Sequence, residues 1–400
     1  MSFSNQSLIK HIRKLSQVIG ARPGGTPANH EAANYIENTF QSLGLSVERQ
    51  TFAMPHWEDL GVSLTYDNKP LEAAANAFSP ACDVTANFVP VCSVAELESA
   101  KVTGKIALLY GDLTRDPISP KSWFLKSNRD EQIIRLLETK KPSAIVAIQA
   151  KAGMLDRLIE DWEFKIPSVS MPAKTGKRLL QQPAATLHLQ INSTSTDSTT
   201  CNLVARKKGK RQETIAIMAH YDTKFDTPGA SDNASGIAIL LTLAEQLCKV
   251  ETECGLEFIA FANEEYMPVG DDEYLKRRNQ DLSDILAAIN FDGVGQLLGT
   301  TSITNIACSK KFQDETSRLA KNYPGIIQVE PWPESNHSTF SFRGIPCIAY
   351  TSTGRVFQAH LRTDTVDWIN PQKLFESISL TLEIIGALQD KPLDWARDVQ

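Results

Sequence analysis

Seven side chains in the second half of this 400-residue chain have the types and spacing for metal-assisted hydrolysis. His220 and Asp222 stand in His220-Tyr-Asp-Thr223. Asp232 follows twelve residues after His220, in Gly229-Ala-Ser-Asp-Asn-Ala-Ser-Gly236. Glu264 and Glu265 are adjacent after Asn263, Asp292 closes Asn290-Phe-Asp292, and His360 opens His360-Leu-Arg-Thr-Asp-Thr365. A single tetrahedral catalytic zinc takes about three protein ligands and keeps one position open. His220, Asp232, Glu265, Asp292 and His360 offer two imidazoles and three carboxylates, which exceeds that need. They suit two divalent ions about 4 Å apart with a carboxylate between them. Zinc, cobalt and manganese all accept such nitrogen and oxygen donors. No cysteine joins the cluster, which favours a catalytic site over a closed structural one.

The remaining two carboxylates have other tasks. Asp222 lies two residues beyond His220, on the same side of an extended chain, where it can accept the second imidazole N–H. Adjacent side chains at a strand end diverge, so one glutamate of the 264–265 pair can bind metal while its neighbour faces water. Zinc brings the pKa of water down to about 7, and a positioned carboxylate can take its proton and hand it to a leaving amine. Spacing alone leaves open which of the two glutamates does which.

The elements that must position these groups are legible in the apolar pattern. Thr214–Ala219, Leu256–Ala262, Ile285–Phe291, Ser302–Ala307 and Cys347–Thr351 read as strands. Ala234–Lys249, Asp271–Arg278, Lys311–Asn322 and Lys373–Leu388 read as helices. Strands alternating with helices predict an α/β fold with a mixed, mostly parallel twisted sheet flanked by helices. Sites in such sheets form beyond the carboxyl ends of the strands, where the polar clusters fall. Residues 29–43 predict a further helix ended by Gly44, and Leu45–Phe52 alternates as a strand does. From 55 to 192 short apolar runs separated by Pro/Gly turns predict a smaller β-rich inserted domain. The catalytic domain is then 1–54 with 193–400. The stretch Asn192–Thr200 (NSTSTDSTT) reads as a linker or exposed loop. Lys207, Lys208, Lys210 and Arg211 around Gly209 read as a solvated hairpin turn.

Composition excludes several classes. Apolar content of 42% and charged content of 22% are those of an ordinary globular protein. A net charge of −6 argues against a general nucleic-acid or anionic-membrane binder. No segment approaches the ~18 apolar residues of a membrane span. Lys10, Arg13 and Lys14 break up Leu8, Ile9, Ile12 and Leu15, so the N-terminus predicts an amphipathic helix rather than a secretory signal. The seven scattered cysteines form no C-x-x-C pair, so neither a disulfide framework nor a thiolate site is expected. A cytoplasmic home is the expectation, or a secreted one if the chain is a mature form. Oligomeric state is not encoded in any of these features.

Together these motifs resemble metallopeptidase family 28, the di-zinc aminopeptidases. His220-Tyr-Asp-Thr is similar to the family's H-x-D-[ST], and Gly229–Gly236 to its G-A-x-D-N-x-S-G. Asn263-Glu264-Glu265 with Gly270 resembles its paired glutamates followed by two spaced glycines, Asn290-Phe-Asp292 resembles N-x-D, and His360 with Asp364-Thr365 resembles H-x-x-x-D-T. The resemblance implies that His220 and Asp292 hold one zinc, Glu265 and His360 the other, and that Asp232 bridges them. It implies Glu264 as general base and peptides with a free N-terminus as substrates. Residues 55–192 resemble the protease-associated domain inserted in many members, through Val102–Leu109, Pro142–Val146 and Ile166–Val169.

Several positions depart from the family pattern. Met267 stands where the first of those two spaced glycines is expected, Pro268 follows it, and Asp271 replaces a serine. Ala359 precedes His360, where some members carry an oxyanion-stabilising tyrosine, so that role is unassigned. His337, in Ser335-Asn-His-Ser-Thr-Phe340, resembles S-D-H-x-x-F with Asn336 for Asp, and is a candidate substrate-site residue rather than a ligand. Each motif alone has a plainer reading: a hydrogen-bonded H-x-D pair, a helix N-cap at Asp232, solvated glutamates. Their order along the chain and their strand-end positions favour metal. The alternatives are another di-metal amidohydrolase (a carboxypeptidase or deacylase) or a non-catalytic binding relative. The first lacks the D-N-x-S-G phrase, and the second typically loses ligands that this chain keeps.

Overall fold

The computed structural model describes residues 5–123, 125–151, 153, 155–182, 186–354 and 359–397. The chain forms two compact units, Met1–Met54 with Thr199–Gln400, and Pro55–Ser198. The elements that build the first are helices α1 (Asn5–Arg13) and α2 (Pro27–Ser42) and strand β1 (Ser46–Tyr66), which enters it with its first residues. Then come β2 (Thr186–Lys207), β3 (Thr214–His220), α3 (Ser235–Leu247), β4 (Gly255–Phe261), α4 (Val269–Arg277) and β5 (Ile285–Phe291). They are followed by β6 (Thr300–Ile306), α5 (Lys310–Ala320), β7 (Ile326–Gln328), α6 (His337–Ser341), β8 (Cys347–Thr353) and α7 (Pro371–Leu388).

The sheet of this unit runs β7-β6-β8-β5-β3-β4-β2. Its four central strands β8, β5, β3 and β4 are parallel, and β6 and β2 join antiparallel to β8 and β4. Every residue of β4 and β5 is buried, as expected of strands covered on both faces. On one face lie α1, α2, α3 and α7, with Leu8, Ile12, Ile36, Phe40, Leu240, Ile378 and Ile385 in one core. On the other, Tyr274, Leu275, Phe340 and Ile345 pack on Met218, Ile259 and Phe261. Residues of α3 from Ser235 to Ala244 are all buried, so this mostly apolar stretch is covered around its whole circumference. At the start of α2, Thr26 accepts the Asn29 N–H and Pro27 takes the first turn, where its missing N–H costs nothing.

The second unit has its own sheet. Cys82–Val91, Ile106–Leu109, Ala144–Ile148 and Ser168–Met171 run parallel in that order, and Ala74–Ala75 adds antiparallel at the edge. Val91, Leu97, Leu109, Ile133, Leu137 and Ile145 form a separate core. No helix among the described residues of either unit is long and apolar enough to cross a membrane.

Two sequence expectations are corrected. Asn192–Thr200 is not a loop: the backbone stays extended from Thr186 to Lys207. Its Ser/Thr content reads as loop-like, but β-branched threonine suits an exposed strand. The basic run after Lys207 is solvated, yet it is not a hairpin turn. β2 pairs with β4, not with β3, which lies on the far side of β4. The connection therefore crosses the beginning of β4, held by Lys210 N–H to Thr252 O at 3.2 Å and Arg211 N–H to Glu253 O at 2.7 Å. Gly209 marks the crossing, since a Cβ there would lie 2.3 Å from the carbonyl carbon of Cys254.

Candidate metal centre

The parallel register brings the strand ends into step. His220, the last residue of β3, is level with Phe261 at the end of β4. Asn290 of β5 is level with Met218, so Asp292 emerges beside His220. His220 Nε2 lies 3.3 Å from Asp232 Oδ1 and 3.4 Å from Asp292 Oδ1, with Glu264 Oε2 at 3.8 Å. His360 Nε2 lies 3.0 Å from Asp232 Oδ2 and 3.2 Å from Glu265 Oε2. Two donor groups result, His220/Asp232/Asp292 and Asp232/Glu265/His360, and the two oxygens of Asp232 are divided between them.

These residues fit a pair of divalent ions. Buried polar atoms are almost always hydrogen-bonded. Here both ring nitrogens of His220 and Oε1 of Glu265 are buried without a hydrogen-bond partner. Donor atoms that converge without bonding one another, drawn from imidazoles and carboxylates, are the set that zinc, cobalt or manganese takes. His360 alone stands half in solvent, at 54% exposure, on a left-handed backbone (φ 62°).

Burial and mutual repulsion govern the protons. Burial raises the Glu264 carboxyl pKa; His220 opposes this, but Asp292, Glu265 and Asp232 reinforce it, and the value stands well above the usual range. Burial disfavours charge on His220, yet the negative charges of Glu264 and Asp292, with the carboxylates of Asp222 and Asp232 close by, hold its pKa well above normal. Burial alone would raise Asp232, but its contacts with His220 and His360 leave it depressed.

The turns that carry the donors are fixed by polar groups. Asp222, fully buried, accepts the main-chain N–H of Glu264 at 3.1 Å and of Glu265 at 3.2 Å. Its Oδ1 lies 3.5 Å from His220 Nδ1, so one carboxylate backs the imidazole and anchors both glutamates. Asn263 turns in the left-handed region (φ 65°) and donates from its side chain to Met267 O at 2.8 Å, so the turn closes with a buried methionine where glycine was expected. Gly270 meets Ala262 O, 2.2 Å from where a Cβ would stand.

The Gly229–Gly236 phrase is equally constrained. Gly229 (φ 61°) leaves no room for a Cβ against Thr223 and Asp232 O. The Asp232–Asn233 peptide is cis. Asn233 donates to Phe291 O at 2.8 Å and accepts Gly236 N–H at 3.0 Å, tying the loop to the end of β5. Asp364, which the sequence presents only as part of a phrase, accepts from Ser231 N–H and Oγ and from Asp232 N–H. Burial lifts its pKa to about 6 against the pull of those donors.

His337 does not join either donor group. It is buried, its Nε2 lies 2.7 Å from Trp332 O, and its Nδ1 lies 3.3 Å from Asn290 Nδ2. Burial lowers its pKa, so the ring is neutral, donating through Nε2 and accepting through Nδ1. The two departures at 271 and 336 meet. Asn336 donates to Asp271 Oδ2 at 2.8 Å and Thr339 to Oδ1 at 2.5 Å, inside a pocket whose burial raises Asp271 to about 7.

A mostly parallel sheet that delivers two imidazoles and a ring of carboxylates to one rim defines the class: a metal-dependent hydrolase on an α/β scaffold. Residues 202–385 match the model of peptidase family M28. Aminopeptidase YwaD of Bacillus subtilis (strain 168) is 25% identical over 358 residues, covering 86% of this chain and 75% of that protein. The fold is shared with an aminopeptidase from Aneurinibacillus sp. strain AM-1 (TM-score 0.77, 24% identity, 99% of this chain and 95% of that one). It is shared also with BSAP, a zinc aminopeptidase from Bacillus subtilis (TM-score 0.79, 20% identity, 99% and 98% coverage).

Proposed function

We propose that the protein is a di-zinc aminopeptidase that removes N-terminal residues from peptides. One observation carries the reading: Asp232 offers one oxygen to His220 and the other to His360, at 3.3 and 3.0 Å, which is the disposition of a bridging carboxylate. His220 and Asp292 would hold one ion, Glu265 and His360 the second. Bound zinc supplies Lewis acidity, polarising the scissile carbonyl and acidifying water.

The chain's own residues do the rest. Asp222 keeps the imidazole of His220 oriented and fixes the turn at Glu264–Glu265. Glu264, whose surroundings raise its proton affinity, accepts a proton from the attacking water and returns it to the leaving amine. The excess of carboxylates around the site suits the ammonium of a free peptide N-terminus, and the aminopeptidase names of the relatives support that substrate class. The test combines elemental analysis of the purified protein with digestion of matched free and N-acetylated peptides. Two zinc ions per chain and cleavage of the free peptides only are expected. Equal turnover of acetylated peptides rejects the exopeptidase reading and favours a deacylase or another amidohydrolase.

A further inference from the structure

Arg22 lies in the connection between α1 and α2, remote in sequence from every donor. Its side chain is fully buried. Among the described ion pairs none includes it; the guanidinium donates to main-chain carbonyls instead. Nε reaches Tyr221 O at 2.6 Å, one terminal nitrogen reaches Pro228 O at 2.7 Å and Gly20 O at 3.2 Å, and the other reaches Gly229 O at 3.0 Å. The Arg22 main-chain N–H donates to Thr223 Oγ1 at 2.9 Å. Its carbonyl accepts from Asn29 Nδ2 at 3.1 Å, which anchors the arginine to α2.

Besides Leu15 O at 3.4 Å, Gly20 O and Asn29 in its own part of the chain, the partners of Arg22 fall into two sets. Tyr221 and Thr223 flank Asp222 immediately after His220. Pro228 and Gly229 immediately precede the turn that carries Asp232. One rigid, planar fork thus joins the two ends of the segment that separates His220 from Asp232. A buried cation is costly, and apolar packing would serve bare stability as well. The carboxylates of Asp222, Asp364, Asp232 and Glu265 are near enough to offset that burial in part, without pairing.

We infer that Arg22 is a positioning residue for the metal pair, clamping the His220–Asp232 segment so that the bridging carboxylate meets both imidazoles. The inference rests on the di-zinc reading above. It makes a prediction opposite in sign to a pure charge effect. Removing a positive charge beside the site would by itself tighten cation binding, whereas releasing the clamp weakens it.

The experiment is zinc binding to the metal-stripped full-length protein, by competition with a chromophoric chelator, for wild type, Arg22→Met and Arg22→Lys. Fold is followed by circular dichroism, and kcat and KM are measured on a free peptide. Both variants should bind the second ion about 10- to 100-fold more weakly, with kcat reduced and KM little changed. Arg22→Lys keeps the charge but not the fork, and carries the test if Arg22→Met does not fold. Leu319→Ala, in the core at α5, should lower Tm while leaving zinc affinity unchanged, separating positioning from loss of stability. Folded arginine variants that bind zinc as tightly as wild type, or more tightly, overturn the inference. A wild type that holds fewer than two ions instead overturns the di-zinc reading, and the two failures are told apart by the wild-type titration alone.

Discussion

Asp364 wraps the turn that delivers Asp232. Its two carboxylate oxygens accept Ser231 N–H at 2.9 and 3.1 Å, Ser231 Oγ–H at 2.8 Å and Asp232 N–H at 3.1 Å, all buried. Asp364 sits four residues beyond His360, so one short segment presents a donor to the site and braces the residue that faces it. Asp364→Asn would turn an amide N–H toward the donors it now accepts. The variant should lose about 1.5–3 kcal/mol of stability and bind zinc about 10- to 100-fold more weakly. Denaturant melts and chelator competition check the two effects, and a variant that keeps full zinc affinity would show that the brace is dispensable.

Two glycines separate stability from chemistry. A Cβ at Gly236 would stand 2.3 Å from Asn233 Oδ1 and 2.6 Å from Phe291 O, beside the turn that carries Asp232. A Cβ at Gly209 would stand 2.3 Å from backbone at Cys254, at the opposite end of β4 from the donors. Each alanine variant should cost about 1–3 kcal/mol through overpacking. Gly236→Ala should also lower kcat/KM, while folded Gly209→Ala should keep it. Assays on both variants, normalised to the folded fraction, distinguish the cases.

Much of this arrangement is legible in the sequence because it is local. The apolar runs ending in His220, in Asn263-Glu264-Glu265 and in Asp292 announce strands, and parallel alternation puts their ends on one rim. The bracing contacts are not legible, because they join residues far apart. Asp364 meets Ser231 across 133 positions and Arg22 meets Tyr221 across 199. Asp222 reads as a partner of His220, yet its bonds to the Glu264 and Glu265 N–H groups depend on a loop 42 positions away. The threonines of 192–200 misled for the opposite reason: polar composition masks an extended backbone.

Asp271 gives a pH signature of stability. Burial raises its folded pKa from 3.8 to about 7, opposed by the Thr339 and Asn336 bonds. An acid whose folded pKa is raised contributes its full stability below the unfolded value and loses it as pH climbs through the folded value. Wild type should therefore weaken relative to Asp271→Asn between about pH 4 and pH 7, then run parallel above. The difference is capped at about 4 kcal/mol. An asparagine can still accept from Asn336 and donate to Thr339. Urea melts of both proteins at pH 5 and pH 8 check this, and a constant difference would rule it out.

Glu264 is the residue on which the chemical reading turns. Its carboxyl lies 3.8 Å from His220 Nε2, farther than either Asp232 or Asp292, and its main-chain N–H is held by Asp222. That places it beside the donor set while the shorter contacts belong to other residues. Glu264→Gln preserves size and the main-chain bond but cannot accept and return a proton. Turnover should fall by about 10²–10⁴-fold, with zinc content and KM close to wild type. Asp232→Asn, by contrast, weakens a donor shared by both groups and should lose zinc and activity together. Measuring metal content and single-turnover rates for the two variants side by side decides the assignment. If Glu264→Gln sheds zinc as Asp232→Asn does, Glu264 is a ligand and the base must be sought elsewhere.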